Sequence, residues 1–172
     1  MSLLAVTVIG HDRPGIIADV TAGLAELGFN LEDSSMTRLR GHFAMTLLCA
    51  GDHPAEDVER ALAPIGADGS LLISVWSVPP EPEPEPTGPG YLLSVHGGDR
   101  PGIVSAVTRV LAQAGGNITD LTTRLSGDLY VLLAEADLPD DVYVADLAAR
   151  LAATGRELGV TVALRRQDAD VL

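Results

Sequence analysis

Seven residues near the start of the chain, His11-Asp12-Arg13-Pro14-Gly15-Ile16-Ile17, return 87 positions later as Gly98-Asp99-Arg100-Pro101-Gly102-Ile103-Val104. At the same offset Thr21 meets Thr108, Leu24 meets Leu111, Gly28 meets Gly115, Asn30 meets Asn117 and Asp33 meets Asp120. A one-residue slip then aligns Arg38-Leu39 with Arg124-Leu125 and Gly41 with Gly127. So long a correspondence marks a duplicated domain, and two copies are too few for a solenoid. Any fold assigned to one half must also suit the other.

In each half an apolar alternating run precedes the repeated phrase, Leu4 to Ile9 and Tyr91 to Val95, and reads as a β-strand. Apolar residues at helical spacing follow it: Ile17, Val20, Leu24 and Leu27, then Val104, Val107, Leu111 and Ala114. Pro14 and Pro101 suit a first helical position, which predicts helices over 14–27 and 101–114. The first half continues with strands near 30–40 and 43–50, with Gly41 at the hairpin tip. A helix at about 54–66, with Val58, Leu62 and Ile65 inward, and a strand over 71–78 complete it. Pro64 weakens the last turn of that helix. The second half repeats this order: strand 91–97, strands 117–126 and 129–136, a helix over 140–157 with Asp140 as N-cap, and strand 160–166. Gly28 and Gly159 fit the residue after a helix end. The reading is α+β: two ferredoxin-like βαββαβ domains, each a four-stranded antiparallel sheet with helices on one face.

These domains are expected at 1–78 and 91–172, joined by a Pro/Glu-rich linker over 79–90. Alternating proline and glutamate from Pro79 to Pro86 favour an extended polyproline II spacer. Domains this small bury a modest share of their surface and leave sheet edges to be covered. Pairing of the two halves, or of two chains as a homodimer, would do so.

The repeated phrase is a strand-to-helix turn. Gly15 and Gly102 let an outside group approach the backbone where unpaired N–H groups and the positive end of the helix dipole gather. An anionic group suits that place, while Asp12 or Asp99 beside it favours a cation. Together they describe a receptor for a zwitterion. Asn30 and Asn117 each offer a donor and an acceptor suited to either end of such a ligand.

A net charge of −13 argues against direct nucleic-acid binding, which rests on Lys and Arg at phosphates, and against anionic membranes. One cysteine, Cys49, excludes an internal disulfide and multi-cysteine metal sites; it lies in the apolar run Phe43 to Ala50 and reads as core. No signal peptide or membrane span is expected, so the expectation is a cytoplasmic protein. The scattered histidines predict no metal site, and no cofactor is expected. Nucleophile elbow, phosphate loop and Cys-x-x-Cys are lacking. The loop after the first strand carries an acid where an acylphosphatase would need an arginine. The strands offer little of the aromatic surface an RNA-reading sheet uses. A non-enzymatic protein is expected.

Two βαββαβ units, each with Asp-Arg-Pro-Gly at the first turn and Gly-x-Asn after the first helix, resemble ACT domains over nearly the whole chain outside the linker. The tandem layout resembles the glycine cleavage system transcriptional repressor group of ACT proteins. The resemblance implies a regulatory protein that senses a small amino acid. That ligand would lie between ACT units, held by one unit's first turn and by the residue opening a neighbour's second strand. Carried over, the turn residues are Gly10, Asp12 and Gly15, with Gly97, Asp99 and Gly102, and the strand-opening residues are Asn30 and Asn117. Serine-sensing relatives carry asparagine where Asp12 and Asp99 stand and histidine where Gly10 and Gly97 stand; His11 and His96 lie outside that slot. Glycine and serine rank first as ligands, and a regulatory protein partner is expected.

Plainer roles stay open for these residues. Gly15 and Gly102 can serve helix–sheet packing, Asp12 and Asp99 can cap their helices, and Asn30 and Asn117 can be turn residues. Arg13 and Arg100 read as solvated partners of nearby acids. The alternative function is a ligand-free interaction module acting through sheet edges and an acidic surface.

Overall fold

The computed structural model describes residues 2–79 and 88–167, and the chain separates into two compact units, Met1–Pro82 and Glu83–Leu172. The polyproline II reading of Pro79 to Pro86 lies, apart from Pro79, outside the described residues.

The first unit runs β1 (Ser2–His11), α1 (Ile16–Glu26), β2 (Asn30–Leu39), β3 (His42–Gly51), α2 (Ala55–Leu62), a 3-10 turn (Ala63–Gly66) and β4 (Leu71–Val78). The second runs β5 (Gly90–Gly98), α3 (Ile103–Gln113), β6 (Asn117–Ser126), β7 (Leu129–Asp137), α4 (Val144–Leu158) and β8 (Val160–Arg166). The sheets are antiparallel, ordered β2-β3-β1-β4 and β6-β7-β5-β8. Both units are thus the expected ferredoxin-like βαββαβ.

Alternation sorts each strand into two faces. Leu4, Val6 and Val8 of β1 and Phe43, Met45, Leu47 and Cys49 of β3 join Ile16, Val20 and Leu24 of α1 and Val58 and Leu62 of α2 in one core. Leu93, Val95, Leu132, Ala134 and Ala136 meet Ile103, Val107, Leu111, Leu147 and Leu151 in the other. Burial raises the Cys49 thiol above its ordinary range, and the charge of Glu32 adds to this. Both first helices end in a Schellman motif: Phe29 N–H donates to Leu24 and Gly28 N–H to Ala25, with the same pattern from Gly116 and Gly115 to Leu111 and Ala112. The positive φ of Gly28 and Gly115, 74° in each, is what the motif demands.

Four expectations need correction. The first helices begin at Ile16 and Ile103, not at the prolines. Gly15 (φ 91°, ψ −9°) and Gly102 (φ 95°, ψ −6°) are left-handed N-caps, so each Pro-Gly forms a turn of type II character before the helix. With that start the buried series is Ile16, Val20, Leu24, and Ile17 stays 44% exposed. The second helix stops at Leu62, because Pro64 lies in the 3-10 turn that follows. α4 begins at Val144 after a turn in which Val142 N–H donates to Pro139, and Tyr143, not Asp140, is its N-cap.

The last correction concerns the slip. Leu39 faces His42 and Ser126 faces Leu129, and β6 pairs with β7 in the register of β2 with β3 throughout, with bulges at matching places after Leu31 and Ile118. The offset is therefore 87 along the entire hairpin, and the apparent slip is a change of turn. Arg40 (φ 50°) and Gly41 (φ 85°) both have positive φ, as in a type I′ turn. In the second hairpin Gly127 (φ 59°) comes first, and Asp128 has negative φ, as in type II′.

Candidate amino-acid site at the strand-to-helix turns

Asp12 leaves β1 and ends beside the edge strand β2. Its Oδ2 accepts from Arg38 Nη1 at 3.3 Å, with the side chains 31% and 69% exposed. Arg38 faces Phe43 across the ladder, on the helix side of the sheet. Together the turn, the start of α1 and β2 border a cleft of about 490 Å³, lined by Asp12, Pro14, Gly15, Ile17, Met36 and Phe43 among others. One side of the cleft is charged and the other apolar.

Neither first helix has a side-chain cap, so Asp12 and Asp99 do not fill the capping role left open for them. Arg13 does pair with an acid: its Nη1 donates to Asp19 Oδ2 at 3.1 Å, while Nη2 reaches the Ile65 carbonyl at 3.5 Å. A side chain added at Gly159, after α4, would lie 3.4 Å from the Arg100 guanidinium carbon. In both units, then, this arginine reaches the end of the second helix.

Gly10 and Gly97 have a packing reason of their own. A Cβ on Gly10 would stand 2.0 Å from the Ser70 carbonyl oxygen, and one on Gly97 would stand 3.0 Å from Val160 Cα. Asn30 and Asn117 open β2 and β6 and pair with Ala50 and Asp137. Asn30 sits at the far end of β2 from Arg38, ~27 Å away at strand rise. The structure thus brings Asp12 and Gly15 together in one cleft and leaves Asn30 remote from its own unit's turn. Met36, Arg38 and Phe43 escaped the sequence reading because their face depends on the register of β2. Ile17 borders the cleft although its helical spacing with Val20 and Leu24 reads as part of the inward series.

The second turn is built differently. Phe43 pairs with Gly10 and Tyr130 with Gly97, and Leu125 faces Tyr130, so Leu125 stands where Arg38 stands in the first unit. Arg124, the sequence match to Arg38, faces Val131 on the opposite side of the sheet, as a one-residue shift requires. Burial raises the Tyr130 phenol above its ordinary value, the Asp99 carboxylate adds to this, and a side-chain hydrogen bond with Thr123 opposes it. Tyr130 is expected to titrate at higher pH than a free tyrosine, with Asp99→Asn bringing it part of the way back. Absorbance at 295 nm in a background lacking Tyr91 and Tyr143 tests this. Because the unfolded chain releases the proton first, stability should fall as pH rises past about 10.

Two matches to one family settle the assignment: residues 2–75 and residues 91–143 each match the ACT domain. The chain belongs to the ACT domain family. ACT relatives include the glycine cleavage system transcriptional repressor of Escherichia coli, 30% identical over 70% of this chain and 64% of that protein. The match thus spans less than two thirds of that relative. A UPF0237 protein of Methanopyrus kandleri is 38% identical over 45% of this chain and 87% of its own length. Among solved structures, an unknown protein from Galdieria sulphuraria superposes with a TM-score of 0.79, at 30% identity, covering 97% of this chain and 99% of that one. Among the described residues no helix is long and apolar enough to cross a membrane, and no group of three or more potential ligands could hold a metal.

Proposed function

We propose that this tandem ACT protein is a regulatory sensor that binds a small amino acid at its strand-to-helix turns and passes the bound state to a protein partner. The observation that carries the reading is the turn geometry repeated in both units: an aspartate suited to an ammonium, Asp12 or Asp99, beside a helix N-terminus with no side-chain cap, which suits a carboxylate. An exposed Asp at 4 Å from an ammonium has a gross Coulomb attraction of ~4 kcal/mol at an effective dielectric of 20, much of it offset by desolvation. Asn30 and Asn117 cannot reach their own turns, so the proposal gives them to the ligand of another ACT unit, in the same chain or in a second copy. Glycine and serine rank first. The relative named as a transcriptional repressor supports a regulatory role, with ligand and partner shifting each other's affinity equally.

A thermal-shift series with the twenty amino acids at millimolar concentration tests this. A ligand at 100 times its Kd adds ~2.7 kcal/mol, enough to raise the midpoint by a few degrees. Asp12→Ala combined with Asp99→Ala should abolish the shift while leaving the fold intact. A flat response to all twenty would sink the sensor reading.

A second reading has its own observation. On the open face of the first sheet, Leu72 and Trp76 are 68% and 56% exposed, and Trp76 borders a depression of about 320 Å³ with Ala5, Thr46, Leu48 and Val78. A ligand-free interaction module would use such a face, and it is the reading that a flat thermal series would favour.

A further inference from the structure

We propose that the two turns are not equivalent: the first is occupied by the protein's own charges, and the second is the open receptor. The inference rests on the sensor reading above and deepens it by assigning the ligand to one unit.

A zwitterion needs a free carboxylate for its ammonium and a helix opening without an acid for its carboxylate. In the first unit both places are taken. Arg38 Nη1 lies 3.3 Å from Asp12 Oδ2 and supplies the cation. Asp19, the acid in the first turn of α1, supplies the anion; its carboxylate oxygens come within 3.9 Å of where a Gly15 side chain would start, and Arg13 holds it there.

In the second unit both substitutes are missing. The position of Arg38 is Leu125, because Arg124 takes the place of Thr37 in the ladder and faces the opposite side of the sheet. The position of Asp19 is Ala106, and α3 has no acid in its first turn. Among the described residues Asp99 forms no ion pair. Instead of Phe43 and Met36 it has Tyr130 and Thr123 nearby, hydroxyl groups suited to a small polar ligand. Two differences, on different elements, thus change the second turn in the same direction.

An exposed ion pair and a charge in a helix's first turn are each modest effects. Together they predict a preference of about tenfold for the second turn, which is ~1.4 kcal/mol. The test is to titrate the full chain with glycine and with L-serine while following backbone amides by 15N–1H NMR. Amides of 97–104 should shift at about tenfold lower concentration than those of 10–17. Arg38→Leu with Asp19→Ala should sensitise the first turn about tenfold, and Leu125→Arg with Ala106→Asp should desensitise the second by as much. Arg38, Asp19 and Leu125 are exposed, and Ala106 is half-buried. Should one double variant lose its dispersed spectrum, the other decides alone. Equal response of both turns in the native chain overturns the proposal, as does a weaker first turn after Arg38 and Asp19 are removed. Silence at both turns toward either probe overturns it as well. If the twenty-amino-acid thermal series still finds a ligand, the sensor reading survives that silence. If the thermal series is flat too, the sensor reading falls with it.

Discussion

Gly10→Ala should destabilise the first unit by about 3 kcal/mol. The added methyl would lie 2.0 Å from the Ser70 carbonyl oxygen and 2.9 Å from Leu71 Cα. Both are backbone atoms at the head of β4, so no side chain can swing aside to admit it. His11 N–H donates to that same Ser70 carbonyl at 2.9 Å, and separating the strands would lengthen this bond. Gly97→Ala should cost less, about 2 kcal/mol, because part of what it meets is the Val160 side chain. Gly98→Ala is the internal control. Nothing lies within 4 Å of its Cβ position, and it should stay within ~0.5 kcal/mol. Urea unfolding followed by circular dichroism checks the series. A Gly10→Ala protein as stable as Gly98→Ala would mean that β1 and β4 do not approach this closely. The result also bears on the ligand: loss of an amino-acid response in Gly10→Ala would report a displaced strand, whereas loss in Asp99→Asn would report a lost contact.

Leu93→Ala should remove about 3 kcal/mol from the second unit. Leu93 is completely buried at the centre of β5, between Ala134 of β7 and Leu164 of β8, in the core that also contains Val107, Leu111, Leu147 and Leu151. Its alanine neighbour leaves little bulk to fill the space. For a unit of this size, total stability is about 8 kcal/mol, so the loss would lower the thermal midpoint by many degrees. Leu133→Ala, one strand away on the open face and 45% exposed, should change stability by less than 1 kcal/mol. A scanning calorimetry trace of the two variants separates these outcomes. Equal shifts would contradict the assignment of faces.

The two examples show which parts of the architecture were legible beforehand. Strand and helix order followed from periodicity and from the repeat, and Gly28 and Gly115 announced their helix ends because a Schellman motif needs positive φ there. What escaped was decided by a single residue of phase. Pro14 fits a first helical position as well as a turn, and only the left-handed Gly15 decides between them. Ile16 and Ile17 are chemically alike, yet one is core and the other borders the cleft. Arg38 and Arg124 align by identity, and nothing local reveals that one stands two places and the other three places before its two-residue turn, which puts them on opposite sides of their sheets. Asp12 and Gly15 could be read as a site from chemistry alone. Arg38, Met36 and Phe43 required the ladder.

The burial of Cys49 has a practical consequence. The thiol is fully enclosed in the first core, its Sγ 3.6 Å from the Leu4 carbonyl oxygen, and it is the chain's one cysteine. A water-soluble disulfide reagent can react with it only after that core opens. The labelling rate in native buffer is therefore a clock for the opening of one half of the molecule. Trp76, the one tryptophan, lies in the same half, and all three tyrosines lie in the other. Evolution has left the duplicated halves with separate optical and chemical signatures, so each can be timed in the intact chain without a single added label.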